Sequence, residues 1–278
     1  MPRQRLDVWL VDRGYFESRQ QAQRAVLAGE VFVDDRTIDK PGTAIADDAV
    51  VRVKAKPKYV SRGGDKLAGA LQTFDLDIRD RICLDGGIST GGFTDCLLKH
   101  GAREVYGIDV GYGQVAWSLQ TDDRVHLRER TNLRHLKPEE LYPADLPPEC
   151  WPTLAVVDVS FISLTKVLPA LWNLLRSPKE ALLLVKPQFE AGRDRVGKKG
   201  VVRNPQVQAE AIASVLAAAR ALGWHYWGVT WSSAPGPAGN LEFLLWLQDR
   251  SGPDEPALSH LQALAREARL ALADTARR

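Results

Sequence analysis

Arg81-Ile82-Cys83-Leu84-Asp85-Gly86-Gly87-Ile88-Ser89-Thr90-Gly91-Gly92-Phe93-Thr94-Asp95-Cys96-Leu97-Leu98-Lys99 reads as strand, glycine turn and helix. Ile82 to Leu84 is an apolar run short enough for a buried strand, and Asp85 ends it. Glycines around a Ser-Thr pair let backbone approach a ligand and admit positive φ. An amphipathic helical pattern begins at Phe93, and a helix start offers free N–H groups and a positive dipole end. A second strand, Glu104 to Ile108, ends in Asp109, an acid about 20 residues on, where a nucleoside ribose is held in such folds. The turn lacks the Gly-x-Gly-x-x-Gly order of a dinucleotide site. A carboxylate beside it would repel a pyrophosphate but suits an amino-acid amine. The expected cofactor is S-adenosylmethionine, with Asp85, Gly87, Ser89, Gly91, Gly92 and Phe93 at its methionine end.

Strands and helices alternate outward from this unit. Leu154 to Val159 carries Asp158 at its end, and Ala181 to Val185 runs into Lys186-Pro187. A long helix is predicted over 204–222, with Asn204 as cap and Pro205 at its first position. Trp224–Trp231 and Leu241–Leu247 form two last strands. Alternation implies an α/β fold with a mainly parallel, doubly wound sheet, whose ligands gather at the strands' C-terminal ends. Asp85, Asp109, Asp158 and Lys186 all fall there. A lysine after a strongly apolar strand is suited to act as a base. Glu242, inside an apolar strand, is costly to bury unpaired. The loop from Lys186 to Arg203 holds six cations against Glu190 and Asp194. Its Arg193, Lys198 and Lys199 are candidate RNA contacts, and its glycines permit movement.

Residues 1–55 read as a separate small α+β module. Leu6, Trp9 and Leu10 share a helical face closed by Gly14, and Ser18 caps a second helix ended by Gly29. Arg5, Arg19 and Arg24 lie on or beside these helices, where arginines can hold RNA phosphates bidentately. Residues 56–64 are expected to be a basic linker. Lys58, Tyr59 and Arg62 in it could follow a nucleic-acid backbone and stack a base. The methyl-transfer domain is expected over 65–250, and residues 251–278 form a tail with Leu258, Leu261, Leu264 and Ala268 on one helical face.

Bulk properties set limits. The 278 residues are 45% hydrophobic and 26% charged, as in a globular protein of one to two domains. A net charge of +2 leaves any nucleic-acid affinity to local patches. Cys83, Cys96 and Cys150 have no metal spacing and no even pairing. With no apolar run of about 18 residues and no signal core, a cytoplasmic protein is expected, with no membrane partner.

The N-terminal pattern Arg5-Leu6-Asp7, Ser18-Arg19, Gly29, Val31 and Lys40-Pro41-Gly42 resembles the RNA-binding domain of a small-subunit ribosomal protein. Asp34-Asp35 stands where that family usually has Asn-Gly. Lys66, Asp158, Lys186 and Glu242 match in order the Lys-Asp-Lys-Glu tetrad of FtsJ-like ribose 2′-O-methyltransferases. With Ser61-Arg62-Gly63-Gly64-Asp65-Lys66, Arg130-Thr131-Asn132, Asp158-Val159-Ser160-Phe161 and Gly239-Asn240-Leu241-Glu242, the chain resembles the TlyA family. Gly86-Gly87-Ile88 departs slightly from the family's turn. The resemblance implies a Rossmann-like methyltransferase acting on cytidine 2′-hydroxyls in ribosomal RNA or ribosomal subunits, without a metal. It assigns Lys186 as base or oxyanion stabiliser, Asp158 as its orienter near the methyl donor, and Lys66 and Glu242 as sugar-positioning residues. Asp109 would take the cofactor ribose and Asn132 the adenine. Some family members are called haemolysins, so a membrane-active protein is one alternative. A non-catalytic ribosome-assembly protein and a small-molecule methyltransferase are the others.

Overall fold

The computed structural model describes residues 3–54 and 57–275. Met1, Pro2, Ala55, Lys56 and residues 276–278, in the expected N-terminal module, linker and tail, lie outside the described residues. Two compact units divide at Pro57 and Lys58.

The first unit runs β1 (Arg3–Arg5), α1 (Leu6–Asp12), α2 (Arg19–Leu27), β2 (Val31–Val33), β3 (Arg36–Thr37), β4 (Ala44–Ala46) and β5 (Val51–Val53). Leu6, Trp9 and Leu10 of α1 pack on Ala22 and Val26 of α2 and on Val31, Val33 and Ile45. Ser18 Oγ accepts from Gln21 N at 3.3 Å, which starts α2 as its side-chain chemistry predicts. Asp34 and Asp35 join β2 to β3 with φ of 49° and 60°, the two positive values a tight hairpin turn demands. Asp34 Oδ1 also accepts from Val50 N at 3.1 Å, so the acid is part of the turn's bonding.

The second unit holds α3 (Arg62–Phe74), β6 (Ile82–Gly86), α4 (Gly92–Lys99), β7 (Glu104–Ile108), α5 (Trp117–Gln120), β8 (Val125–Arg128), α6 (Pro138–Leu141), β9 (Leu154–Val157), α7 (Leu168–Leu174), β10 (Glu180–Val185), α8 (Pro187–Glu190), α9 (Pro205–Arg220), β11 (His225–Trp231), β12 (Phe243–Gln248) and α10 (Leu258–Thr275). Its seven-stranded sheet has the order β11-β12-β10-β9-β6-β7-β8. Five strands are parallel to their neighbours, and β12 runs antiparallel between β10 and β11. Strand β10 explains why the middle is continuous Leu and Val. Leu182 and Leu184 enter the core under α3 and α4, while Leu183 and Val185 enter the core under α7 and α9. Each is at most 1% exposed. Truncating one, as in Leu183→Ala, would cost about 2–5 kcal/mol.

Two boundaries differ from the sequence reading. Helix α3 begins at Arg62, inside the expected linker, which puts Lys66 in its second turn. The tail helix is part of the second unit's core. Leu261, Ala265 and Ala268 are buried among the residues of α9 and Trp224, whereas Leu258 is 38% exposed.

Chain order places a switch in sheet direction between β6 and β9. The loop after β6 passes so close to the end of β9 that a Cβ on Gly87 would lie 2.6 Å from the Asp158 carbonyl oxygen. Gly87 has φ of 90°. Both facts require glycine there, and a ligand crevice opens at such a point in α/β sheets.

Candidate active site

The loop after β6 is held by backbone bonds to β7. Gly87 N and Ile88 N donate to Ile108 O at 2.8 and 3.1 Å. Ser89, at φ of 49°, donates its N–H to Asp109 Oδ2 at 2.8 Å, and Gly111 N donates to Oδ1 at 2.7 Å. Both Asp109 oxygens are thereby oriented, each keeping lone-pair capacity for a hydroxyl. Gly91 closes the loop at φ of 95°, where a Cβ would overlap the Leu119 side chain. Gly92 opens α4 against Ser61 and Gly64, leaving no room for a side chain.

Three adjoining cavities follow from this frame. One of about 340 Å³ is lined by Gly87, Ser89, Asp109, Asn132 and Asp158 among others. Asn132 Oδ1 accepts from Arg134 N at 3.1 Å, leaving the side-chain NH₂ for a ligand. A second, of about 200 Å³, lies between Arg62, Lys66, Gly92, Phe93 and Asp158. The third, of about 580 Å³, is lined by Phe161, Lys186, Gln188, Phe189, Lys199 and Glu242 among others. Asp158 belongs to the first two, Ser160 and Phe161 to the first and third, and Pro237 to the second and third.

Lys66, Asp158, Lys186 and Glu242 form two ion pairs at these junctions. Lys66 Nζ lies 2.5 Å from Glu242 Oε2, with side chains 9% and 1% exposed. Lys186 Nζ lies 2.5 Å from Asp158 Oδ1 and donates to Ser160 Oγ at 2.8 Å. The burial of Glu242 thus has a counter-charge, as desolvation requires. Gly236 makes this possible, since a Cβ there would collide with Glu242 Oε1. Asn240, 2% exposed, ties the basic loop to this hairpin. Its Oδ1 accepts from Val202 N and its Nδ2 donates to Gly200 O, both at 2.9 Å.

Not every sequence-derived candidate lines a cavity. Asp85 is fully buried behind the glycine loop and lines none of the three. Its Oδ2 accepts from Thr94 Oγ1 at 2.7 Å, and its Oδ1 has no partner among the described residues. Burial pushes its carboxyl up to about 7, with Thr94 opposing and Asp158 and Asp109 adding to the rise. Gly91 shapes the loop without reaching a cavity. Arg193 and Lys199 line the third cavity; Lys198 does not.

Tyr59 requires a correction. It is 3% exposed and faces His100, so it cannot stack a nucleic-acid base. Gly64 leaves the room its ring fills: a Cβ there would come within 2.2 Å of Tyr59 Cγ. The surrounding segment is pinned to α4, with Val60 N donating to Asp95 Oδ2 at 2.9 Å and Lys99 Nζ donating to Lys58 O at 2.6 Å. Lys58 itself is exposed, and Arg62 faces the second cavity. In the first unit, Arg24 is exposed, while Arg5 and Arg19 both bond to Asp7.

The sequence reading gave no role to Phe161, Gln188 or Phe189. Phe161 has φ of 65° and is 92% exposed, an unusual backbone for an aromatic residue. Its ring lies 5.3 Å from that of Phe189. Glu190 fixes this pair by accepting from Ser163 Oγ at 2.5 Å and Leu164 N at 2.8 Å, which ties α8 to the loop after β9. Burial pushes the Glu190 carboxyl above its usual range. Gln188 Oε1 is buried without a partner among the described residues, an acceptor that a substrate amino group could satisfy. The sequence carried no signal for this, since a strained φ is not visible in it.

Comparisons with known proteins identify the family. The family model for FtsJ-like methyltransferase matches residues 59–249, and that for the S4 domain matches residues 4–51. A Mycobacterium tuberculosis protein named 16S/23S rRNA (cytidine-2′-O)-methyltransferase TlyA is 46% identical over 251 residues, 90% of this chain and 91% of its own. Hemolysin A of Brachyspira hyodysenteriae is 39% identical over 86% of this chain and 98% of its own. A solved structure described as a candidate hemolysin from Streptococcus thermophilus shares 39% identity at a TM-score of 0.75, covering 100% of both chains. The FtsJ-like match over residues 59–249, the S4 match over residues 4–51 and the 46% identity across 90% of the chain show that the chain belongs to the FtsJ-like methyltransferase family, in its TlyA-type branch.

Proposed function

We propose that the protein methylates the 2′-hydroxyl of a cytidine in ribosomal RNA, using S-adenosylmethionine. One observation carries the reading: the Lys186–Asp158 pair spans the junction of the cavities, with Asp158 on the Asp109 side and Lys186 in the large basic cavity. A methyl donor held on one side and a ribose on the other would meet at that pair.

The residues present fit the cofactor. Asp109 and Asn132 share a cavity of about 340 Å³ that Gly87 also lines. Asp85 Oδ1, without a partner among the described residues, leaves an unsatisfied buried polar atom behind the loop. Asp109 would hold the ribose hydroxyls, Asn132 the adenine edge, and the loop from Gly87 to Phe93 the methionine end. When bound, S-adenosylmethionine supplies an electrophilic methyl group on a sulfonium.

A ribose hydroxyl is a poor nucleophile, so the protein must orient it and stabilise it as its proton leaves. Asp158 pairs with the Lys186 ammonium by charge and Ser160 accepts one of its three donors, leaving donor capacity for the 2′-oxygen. Because Asp158 fixes the ammonium, oxyanion stabilisation is the role that fits Lys186 best. Lys66 and Glu242 hold each other beside the same cavities and would position the sugar. Phe161, exposed at the rim, offers a face for a base, and Arg193 and Lys199 offer cations to the RNA backbone. Exposed Arg24, Lys58 and Lys198 would add further backbone contacts.

Mapping 2′-O-methyl groups in unmodified ribosomal subunits, before and after incubation with the protein and cofactor, tests the reading. New methylation at a cytidine ribose is expected. A methyl group on a base, or none, would overturn it. The haemolysin names of some relatives make a second arm worthwhile. No helix of the described residues is long and apolar enough to cross a membrane. Leakage of dye-loaded liposomes should stay at background.

A further inference from the structure

In the first unit, one buried carboxylate organises two arginines. Asp7 has a fully buried side chain. Arg5 Nε and Nη2 donate to its Oδ1 and Oδ2, each at 3.1 Å. Arg19 Nε donates to Oδ2 at 2.9 Å, and Gln23 Nε2 to the same oxygen at 2.7 Å. Gly42 closes on the Arg5 guanidinium, where a Cβ would stand 3.0 Å from Nη1. Burial alone would push the Asp7 carboxyl up. The bonds from Arg5, Gln23 and Arg19 outweigh it and hold the group well below the usual carboxylate range. The two arginines come from different elements and remain 51% and 55% exposed. Each is gripped on one edge and open on the other.

We propose that Asp7 is a positioning residue for RNA phosphate. It locks Arg5 and Arg19 into one fork whose free edges bind the backbone. The inference rests on the S4-type unit contacting RNA, and it concerns how that unit holds its arginines. It has a distinctive sign. By charge alone, neutralising an acid on an RNA-binding face should tighten binding. If Asp7 acts by orienting the arginines, neutralising it should weaken binding, because the freed side chains must be ordered again for each phosphate contact.

Filter binding of deproteinised ribosomal RNA to the full-length protein between 50 and 200 mM KCl makes the test. Asp7→Asn keeps the shape and removes the charge. It should weaken binding about tenfold, the worth of roughly one charge-assisted hydrogen bond. The slope of log affinity on log salt should fall by about 1 to 2 as phosphate contacts are lost. In an Arg5→Ala/Arg19→Ala background, Asp7→Asn should have no further effect, since the two changes share one interaction. Unchanged or tighter binding by Asp7→Asn, or an additive loss in that background, overturns the proposal. The paired variant Arg5→Lys/Arg19→Lys keeps the charge, removes the fork and leaves Asp7 in place. It should lose affinity like Asp7→Asn, and parent-like binding would also overturn the proposal. Failure of the parent protein itself to bind with a salt-dependent slope would instead refute the RNA-binding reading of the unit. Calorimetric titration with S-adenosylmethionine should be the same for every variant.

Discussion

The Lys66–Glu242 pair allows stability and catalysis to be separated. At 2.5 Å, and at an effective dielectric constant of about 20, the two charges attract by roughly 6–7 kcal/mol. Taking both out of water costs several kcal/mol per ion, so the intact pair contributes little net stability. Removing one partner leaves the other charge buried and uncompensated. Lys66→Met and Glu242→Gln should therefore each cost about 3–5 kcal/mol. At about 2–4 °C per kcal/mol for a domain of this size, the melting temperature should fall by roughly 6–20 °C. The double variant Lys66→Met/Glu242→Leu buries no charge and should recover most of that loss. Methyl transfer should not recover, because both positioning groups are gone. Differential scanning calorimetry on the three variants, with single-turnover methylation of ribosomal subunits alongside, reads both quantities. A double variant as unstable as the singles would refute the charge-burial argument. A stable and fully active double variant would remove the pair from the reaction.

Three further predictions bear on other parts of the site. Asp109→Ala should weaken S-adenosylmethionine binding by about 1.5–3 kcal/mol in calorimetry, the loss of a charged acceptor, and unchanged affinity would remove Asp109 from the cofactor site. Asp85, raised from 3.8 to about 7, binds its proton more tightly folded than unfolded. The folded state is therefore favoured least above pH 7, and stability should fall as pH rises between roughly 4 and 7, by up to about 1.4 kcal/mol per unit. Asp85→Asn should flatten that slope in urea titrations, and an unaltered slope would contradict the assignment. Phe161→Ala should leave thermal stability within about 0.5 kcal/mol, since the ring is exposed. Losing about 1–3 kcal/mol of base stacking should nevertheless slow RNA methylation, and a parent-like rate would exclude a stacking role.

Much of the site was legible because it is built at strand ends. A strand of continuous Leu and Val that stops at Lys186, and another that stops at Asp109, announce ligand chemistry through local sequence alone. The glycines at 87, 91 and 92 were legible for the same reason, and the close approaches they permit, to Asp158, Leu119 and Ser61, explain them. Properties set by distant packing were hidden. Tyr59 among lysines has the composition of a base-stacking segment. Only Gly64, five residues on, makes the space that buries its ring. Arg19 read as a free cation because Asp7 lies on another helix, twelve residues away. Phe161 was quoted but given no role, since its exposure depends on a backbone angle. The tail helix showed its apolar face in sequence, but which surface it covers depends on α9 and Trp224. The antiparallel direction of β12 follows from a hairpin after β11 that carries Asn240 and Glu242 into the site.

Single-turnover methylation of unmodified ribosomal subunits by Lys186→Ala tests the central claim most directly. Lys186 follows the most apolar strand, pairs with Asp158 and faces the basic cavity. Its loss should slow methyl transfer to the cytidine 2′-oxygen by about 10²–10⁴, with cofactor and RNA affinity little changed, so that the effect falls on kcat rather than KM. A rate within a few-fold of the parent would contradict the account and leave an RNA-binding protein that has only the methyltransferase fold.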